Sequence, residues 1–289
     1  MAITTISDQK RGLLMKNKNV LKFINIFAVI IFALIFLTPF AFMFLTSLKD
    51  RRGANLMRLT LPTVWHWDNY IKVLKFSHYQ VFTAFKNSIL LTLFSVLVLI
   101  FLCSMAGFVI QRRKDTVSNI ANSIILAGLI VPVSILPTIW VLQGLHLYKT
   151  MTGMVLIEAA INIPFTTMLY RSYMSSVPVE LEEAACIDGC TPFTTFTKVV
   201  FPLLQPVSAT IIILNSVTIF NDFVNPLYFL PGSKNATVQL TLYNYIGQCG
   251  NSYQLLFSDA ILITIPIFIL FIFFNRKIIA GMSAGAVKG

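Results

Sequence analysis

Six stretches of this chain are apolar for long enough to cross a lipid bilayer, and no other feature constrains the fold as strongly. They cover approximately residues 21–47, 83–110, 120–144, 151–174, 206–230 and 257–278. A membrane-crossing helix needs about 20 mainly apolar residues to span about 30 Å of hydrocarbon. The runs are continuous rather than alternating, so they read as helices and not as strands of a barrel. With 56% of 289 residues hydrophobic and 11% charged, a soluble fold of this size is excluded. The fold expected is therefore all-α and integral to the membrane, with six transmembrane helices. The first run is too long for a signal-peptide core and lacks a small-x-small cleavage site, so it reads as a retained span.

The net charge of +11 might point to nucleic acid, but the basic residues cluster beside the spans, where they orient a membrane protein. Six spans put both termini on one side. Placing them in the cytoplasm puts 13 of the 22 Lys and Arg residues inside, among them Arg112, Arg113, Lys114, Arg171 and Lys198. No nucleic-acid partner is expected. Residues 1–20 read as a disordered or interfacial cytoplasmic tail, 21–280 as one six-helix transmembrane domain, and 281–289 as a second cytoplasmic tail. The four cysteines form no CxxC pair and have no histidine at ligand spacing, so no metal site and no disulfide are expected.

Polar residues inside the runs call for an explanation, because an unpaired polar group in hydrocarbon is costly. Glu158 and Asn162 lie one turn apart on the fourth run. Asn215 lies inside the fifth, and Asn221 and Asp222 crowd its outer half. Glu158 and Asp222 are the acids this reading finds in the spans. Two uses compete for all five residues, interhelical hydrogen bonding and the lining of a path for a hydroxyl-rich solute. Pro132 and Pro137 bracket four residues of the third run and predict a bent third span. In the 48–82 loop, Trp65, Trp67 and Tyr70 read as an interfacial anchor, with a short helix from Asp68 to Phe76. No catalytic constellation is present, so an enzyme is not expected.

An acidic, helix-prone segment between the fourth and fifth runs is the loop 176–205. Glu180, Glu182 and Glu183 open a helix-prone stretch that continues through Ala184, Ala185 and Ile187, with Ser176 and Pro178 ahead of it as capping residues. Asp188 and Gly189 follow, and the glycine predicts a sharp turn with positive φ. Pro192 then starts a second short helix. Phe193, Phe196, Val199 and Val200 make an apolar stripe on it, and Pro202 closes it.

This loop resembles the EAA loop of ABC-importer permeases, in which Glu-Ala-Ala is followed after three residues by Gly and after nine more by Ile-x-Leu-Pro. Glu183-Ala184-Ala185, Gly189 and Val199-Val200-Phe201-Pro202 stand at that spacing, with Val for Ile and Phe for Leu. Thr38-Pro39-Phe40, Ser47-Leu48-Lys49, Asn69-Tyr70, Asn221-Asp222-Phe223 and Pro226-Leu227 extend the resemblance to the maltose-type carbohydrate importers. The ending Gly281–Gly289 is similar to that of their second permease subunit.

The resemblance implies a type I ABC importer permease fold, a bacterial cytoplasmic membrane, and an oligosaccharide as solute. Its implied partners are a second homologous permease subunit, two ATPase subunits and an extracellular solute-binding protein. It also implies that Glu182, Glu183, Ala184, Ala185, Ile187, Asp188, Gly189, Phe193 and Pro202 form the surface that couples to the ATPase, and that the 281–289 tail reaches between the ATPase subunits. The chain has no G-x-x-x-x-G-K-[ST] phosphate loop, so ATP and magnesium belong to the partner and no cofactor is expected on this chain. The alternatives are an ABC permease for another solute, such as a glycerol phosphate, and an ion-coupled secondary transporter.

Overall fold

The computed structural model describes residues 2–232, 234–246 and 251–286, and every regular element among them is helical. Helix α1 (Ala2–Ser47) is followed by the short α2 (Arg51–Asn55), then α3 (Asp68–Arg112), α4 (Thr116–Ala127), α5 (Ile135–Gly144) and α6 (Met151–Met174). The polar loop contributes α7 (Glu180–Ile187), α8 (Pro192–Thr195), a π turn at Phe196–Val200 and the one-turn α9 (Phe201–Leu203). After it come α10 (Gln205–Phe220), α11 (Val224–Phe229), a 3-10 segment (Val238–Tyr245) and α12 (Tyr253–Ala286).

Among the described residues, four helices are long and apolar enough to cross a membrane, over Ile24–Ser47, Asp68–Arg112, Met151–Met174 and Tyr253–Phe273. The remaining two runs are not single uninterrupted helices. The third is split more sharply than a bend, because α4 ends at Ala127 and α5 starts at Ile135. Pro132 removes a backbone donor inside the gap, while Pro137 sits in the first turn of α5, where a helix tolerates it. The fifth stops at Phe220, Asn221 and Asp222 interrupt it, and α11 resumes at Val224. At the other end of the chain, α1 is helical through the 2–20 stretch expected as a tail. Helix α12 likewise runs on to Ala286, and residues 287–289 of the expected C-terminal tail lie outside the described residues.

The core forms where α3, α6 and α10 pack together around Leu99, Cys103, Ile157, Tyr170, Leu204 and Ile211. The α3–α6 contact is the most extensive in the molecule and depends on Gly107. A Cβ there would stand 2.7 Å from the Tyr170 Cβ and 3.0 Å from the Arg171 nitrogen. Small residues that let backbones approach this closely drive helix association in lipid, where hydrophobicity alone does not distinguish protein from solvent. A hydrogen bond between Tyr170 Oη and Ser208 Oγ (2.9 Å) ties α6 to α10. By contrast, α1 exposes Ile24, Phe27, Phe32 and Phe36, and near its end Phe42 packs edge to face on Phe257 of α12.

The end of the bundle away from the polar loop is closed by side chains from the 48–82 segment. Asn69 Nδ2 donates to the carbonyls of Ser47 (2.8 Å) and Lys49 (3.0 Å), capping the free end of α1. The Ser47 and Tyr70 hydroxyls are 2.8 Å apart, and Trp67 stacks on both Trp65 and Tyr70. The expected short helix is present from Asp68. It breaks at Phe76, after which Ser77, His78 and Tyr79 take φ of 46°, 54° and 64° before the span proper begins.

Candidate functional site: the polar loop and the buried polar groups

The loop folds as two short helices hinged on a glycine. Helix α7 carries Glu180, Glu182 and Glu183 in its first turn, where the unsatisfied N–H groups and the helix dipole favour negative charge. Its cap differs from expectation. Val179 occupies the N-cap position without a side-chain bond, and Ser176 instead turns back to donate to the Tyr173 carbonyl at 2.7 Å. Gly189 has φ +81°, the left-handed conformation the sequence calls for. There the Cys190 N–H returns to the Ala185 carbonyl at 3.0 Å, closing α7.

Thr191 then caps α8, its Oγ1 accepting from the Thr194 N–H at 3.3 Å, with Pro192 in the first turn. The chain widens into a π turn at Phe196–Val200 just before Pro202. Proline has no N–H to return to the Lys198 carbonyl, and a π turn is one way to absorb that loss. The axis of the Pro192–Leu203 stretch meets that of Gln205–Phe220 at 75°.

Burial divides the loop residues into two sets. Glu183, Ala184, Asp188, Gly189 and Pro202 are exposed, and two large apolar side chains stand out with them, Ile187 at 86% and Phe193 at 60% exposure. Ala185, Phe196 and Val200 face inward, Phe196 against Phe108 of α3 at 5.4 Å. The apolar stripe expected on the second helix is thus split, with Phe193 offered outward and Phe196 and Val200 used as anchors. Glu182 also turns inward, where Arg112 takes its carboxylate at 2.7 Å. What remains outward is a surface of acid, small and apolar groups.

The polar residues of the spans do not form one constellation. Glu158 is buried on α6 with Asp222 beside it, and Oε1 of Glu158 has no hydrogen-bond partner. Asp222 itself caps α11, accepting from the Asn225 N–H (3.2 Å) and side-chain amide (2.5 Å). Asn162 donates back to the Glu158 carbonyl at 2.8 Å. Asn215 is helix–helix glue, donating to Thr166 Oγ1 (3.2 Å) on α6 and to the Ile211 carbonyl (3.0 Å). Asn221 points elsewhere and accepts from Gln239 at 3.0 Å. Of the five, Glu158 and Asp222 are the pair that the fold brings together.

One buried acid escapes the sequence reading. Asp259 is fully buried on α12 and accepts from Thr241 Oγ1 at 2.7 Å, holding the 3-10 segment against the last span. The signal was available, since Asp259 lies inside the sixth apolar run, but it stands close enough to the run's start to pass for a boundary residue.

Residues 100–284 match the family model described as binding-protein-dependent transport system inner membrane component. The multiple sugar-binding transport system permease protein MsmG of Streptococcus mutans is 35% identical over 261 residues, covering 88% of this chain and 93% of that one. The arabinooligosaccharides transport system permease protein AraQ of Bacillus subtilis is 31% identical over 264 residues, covering 89% and 92%. Among solved structures, a chain of a bacterial ABC transporter involved in alginate import superimposes with a TM-score of 0.76 at 21% identity, covering 89% of this chain and 96% of that one.

Proposed function

Because the chain belongs to the family of binding-protein-dependent transport system inner membrane components, we propose that it is one permease subunit of an ATP-driven importer of neutral oligosaccharides. The observation that carries this reading is the outward face of the 180–203 loop. Ile187 and Phe193 are exposed beside Glu183 on helices hinged at Gly189, a surface that has no use in a self-sufficient membrane protein. An ATPase subunit docked there receives the apolar pair in a cleft and meets Glu183 with a basic side chain. ATP-driven closure of two such subunits then moves the loop, and the tightly packed α3, α6 and α10 carry the movement to the opposite end as a rigid unit.

A homologous permease completes the path, and a solute-binding protein delivers cargo at the end formed by the 48–82 segment. The termini and the loop lie in the cytoplasm. The 281–289 tail contacts the ATPase pair, and its deletion weakens copurification of the ATPase.

The solute is assigned to the oligosaccharides on two grounds. The relatives named for sugars span nearly the whole chain. Within the described spans, the buried ionisable groups are Glu158 and Asp259, both acidic, and the buried Lys49 just beyond α1 is taken up by the Arg58 carbonyl and Thr60 Oγ1. An anionic solute calls instead for Arg or Lys at that depth, which weighs against a glycerol phosphate. The test is uptake of labelled oligosaccharides into proteoliposomes holding the complete importer. Uptake that requires ATP hydrolysis and ignores the proton gradient supports the proposal. Uptake that collapses with the gradient and proceeds without ATP refutes it in favour of a secondary transporter.

A further inference from the structure

We propose that Arg112 is a positioning residue that fixes the angle of the loop helix α7 on the membrane domain, with Glu182 and the Val177 carbonyl as its two attachment points. The inference rests on the importer reading above for its consequence, but not for its geometry.

Arg112 is the last residue of α3. Its Nε donates to Glu182 Oε1 at 2.7 Å, its Nη2 lies 2.7 Å from the same oxygen, and Nη2 also donates to the Val177 carbonyl at 2.8 Å. One planar guanidinium therefore holds both the first turn of α7 and the strand of chain that enters it, a use that lysine, a single point charge, cannot reproduce. The side chains are 17% and 13% exposed, so the pair is shielded from the screening that makes surface ion pairs weak. Every other hydrogen bond described for residues 175–190 is short-range in sequence, made within the loop or back to Ser172, Tyr173 and Met174 at the end of α6. An eight-residue helix does not hold its place by propensity, and α7 is held by this clamp, by the buried Ala185 and by packing against α8 and the π turn.

The other side of the clamp is rigid. Five residues before Arg112, Gly107 brings α3 into contact with α6 at Tyr170. Arg171 on α6 adds bonds to Gln111 of α3 (3.3 Å) and Asn122 of α4 (2.6 Å). The guanidinium is thus mounted on three helices joined at their loop ends. A push on Ile187 or Glu183 passes through α7 into that platform when the clamp is closed. When it is open, α7 tilts and the push is lost. Glu182, grouped by sequence with the docking residues, acts within the chain.

Distances are measured on the complete importer in lipid nanodiscs, with spin labels on the native Cys186 of α7 and on Val117→Cys, both exposed, and the other native cysteines replaced, while uptake is measured on the unlabelled importer in proteoliposomes. Arg112→Ala, Glu182→Ala and the double variant are compared, with Glu182→Gln as a milder change that preserves size. Each single variant is expected to broaden the 117–186 distance distribution. Each is also expected to raise the ATP hydrolysed per solute taken up by about tenfold, and the double variant to be no worse than either single. An unchanged distance distribution in the single variants overturns the proposal, as do additive effects in the double variant. If the wild-type complex itself shows no ATP-coupled uptake, the importer reading fails, while the distance measurement still decides the clamp.

Discussion

Gly107 and Tyr170 meet so closely that a Cβ on residue 107 would stand 2.7 Å from the Tyr170 Cβ. This contact fixes the distance between the second and fourth apolar runs at the end nearest the polar loop. It also sets Tyr170 to reach Ser208 on α10, so three helices are aligned by one missing side chain. Gly107→Val is expected to destabilise the protein by about 1–3 kcal/mol through overpacking. A lowered thermal midpoint in detergent measures it. Gly144→Ala is the control, because nothing lies within 4 Å of a Cβ there.

Gly189 tests the hinge separately from the packing. No atom lies within 4 Å of a Cβ built at this position, so its requirement for glycine comes from its φ of +81° alone. A β-branched residue in the left-handed region costs at least about 1–2 kcal/mol. Gly189→Val should therefore reduce uptake and ATPase coupling strongly while membrane insertion and the thermal midpoint of the bundle stay near wild type. Full transport by this variant would remove the hinge from the mechanism.

Asn215 and Glu158 should separate in their effects. Asn215→Ala loses an interhelical bond to Thr166, worth about 0.6–2 kcal/mol in lipid. A thermal shift is expected, with no change in which sugars compete for uptake. Glu158→Gln keeps the shape and removes one carboxylate from the Glu158–Asp222 pair, so it should alter uptake with little thermal shift. Equal changes in the sugar competition profile of both variants would contradict the division between glue and path.

Thr241→Val leaves Asp259 buried without its described donor. Stranding a buried polar group costs about 1–3 kcal/mol. The variant should be less stable than Thr241→Ser, which keeps the hydroxyl. Equal melting temperatures for the two would show that the bond contributes nothing.

Where residue type alone decides the local structure, the sequence was a good guide. The turn at Gly189 and the helix start at Pro192 follow from backbone chemistry that glycine and proline impose, and the short helix from Asp68 is present although no side chain caps it. The family pattern in the loop was legible for the same reason. What was not legible depends on partners distant in sequence. Hydropathy cannot distinguish the bent third span expected from Pro132 and Pro137 from the wide break between α4 and α5. Nor does it reveal that Glu182 would find Arg112, 70 positions away, while its neighbour Glu183 stays exposed. Phe193 and Phe196 look alike in the stripe, and packing against Phe108 and Phe201 makes Phe196 an anchor while Phe193 stays exposed.

The central claim, that the 180–203 loop is the docking surface for an ATPase, is tested most directly at Ile187, whose side chain is 86% exposed. A photocrosslinking residue in place of Ile187 is activated in membranes holding the complete importer. The account predicts a single major adduct with the ATPase subunit, lost when the crosslinker is moved to the buried Ala185. Adducts with lipid or with the solute-binding protein, and none with the ATPase, would contradict it.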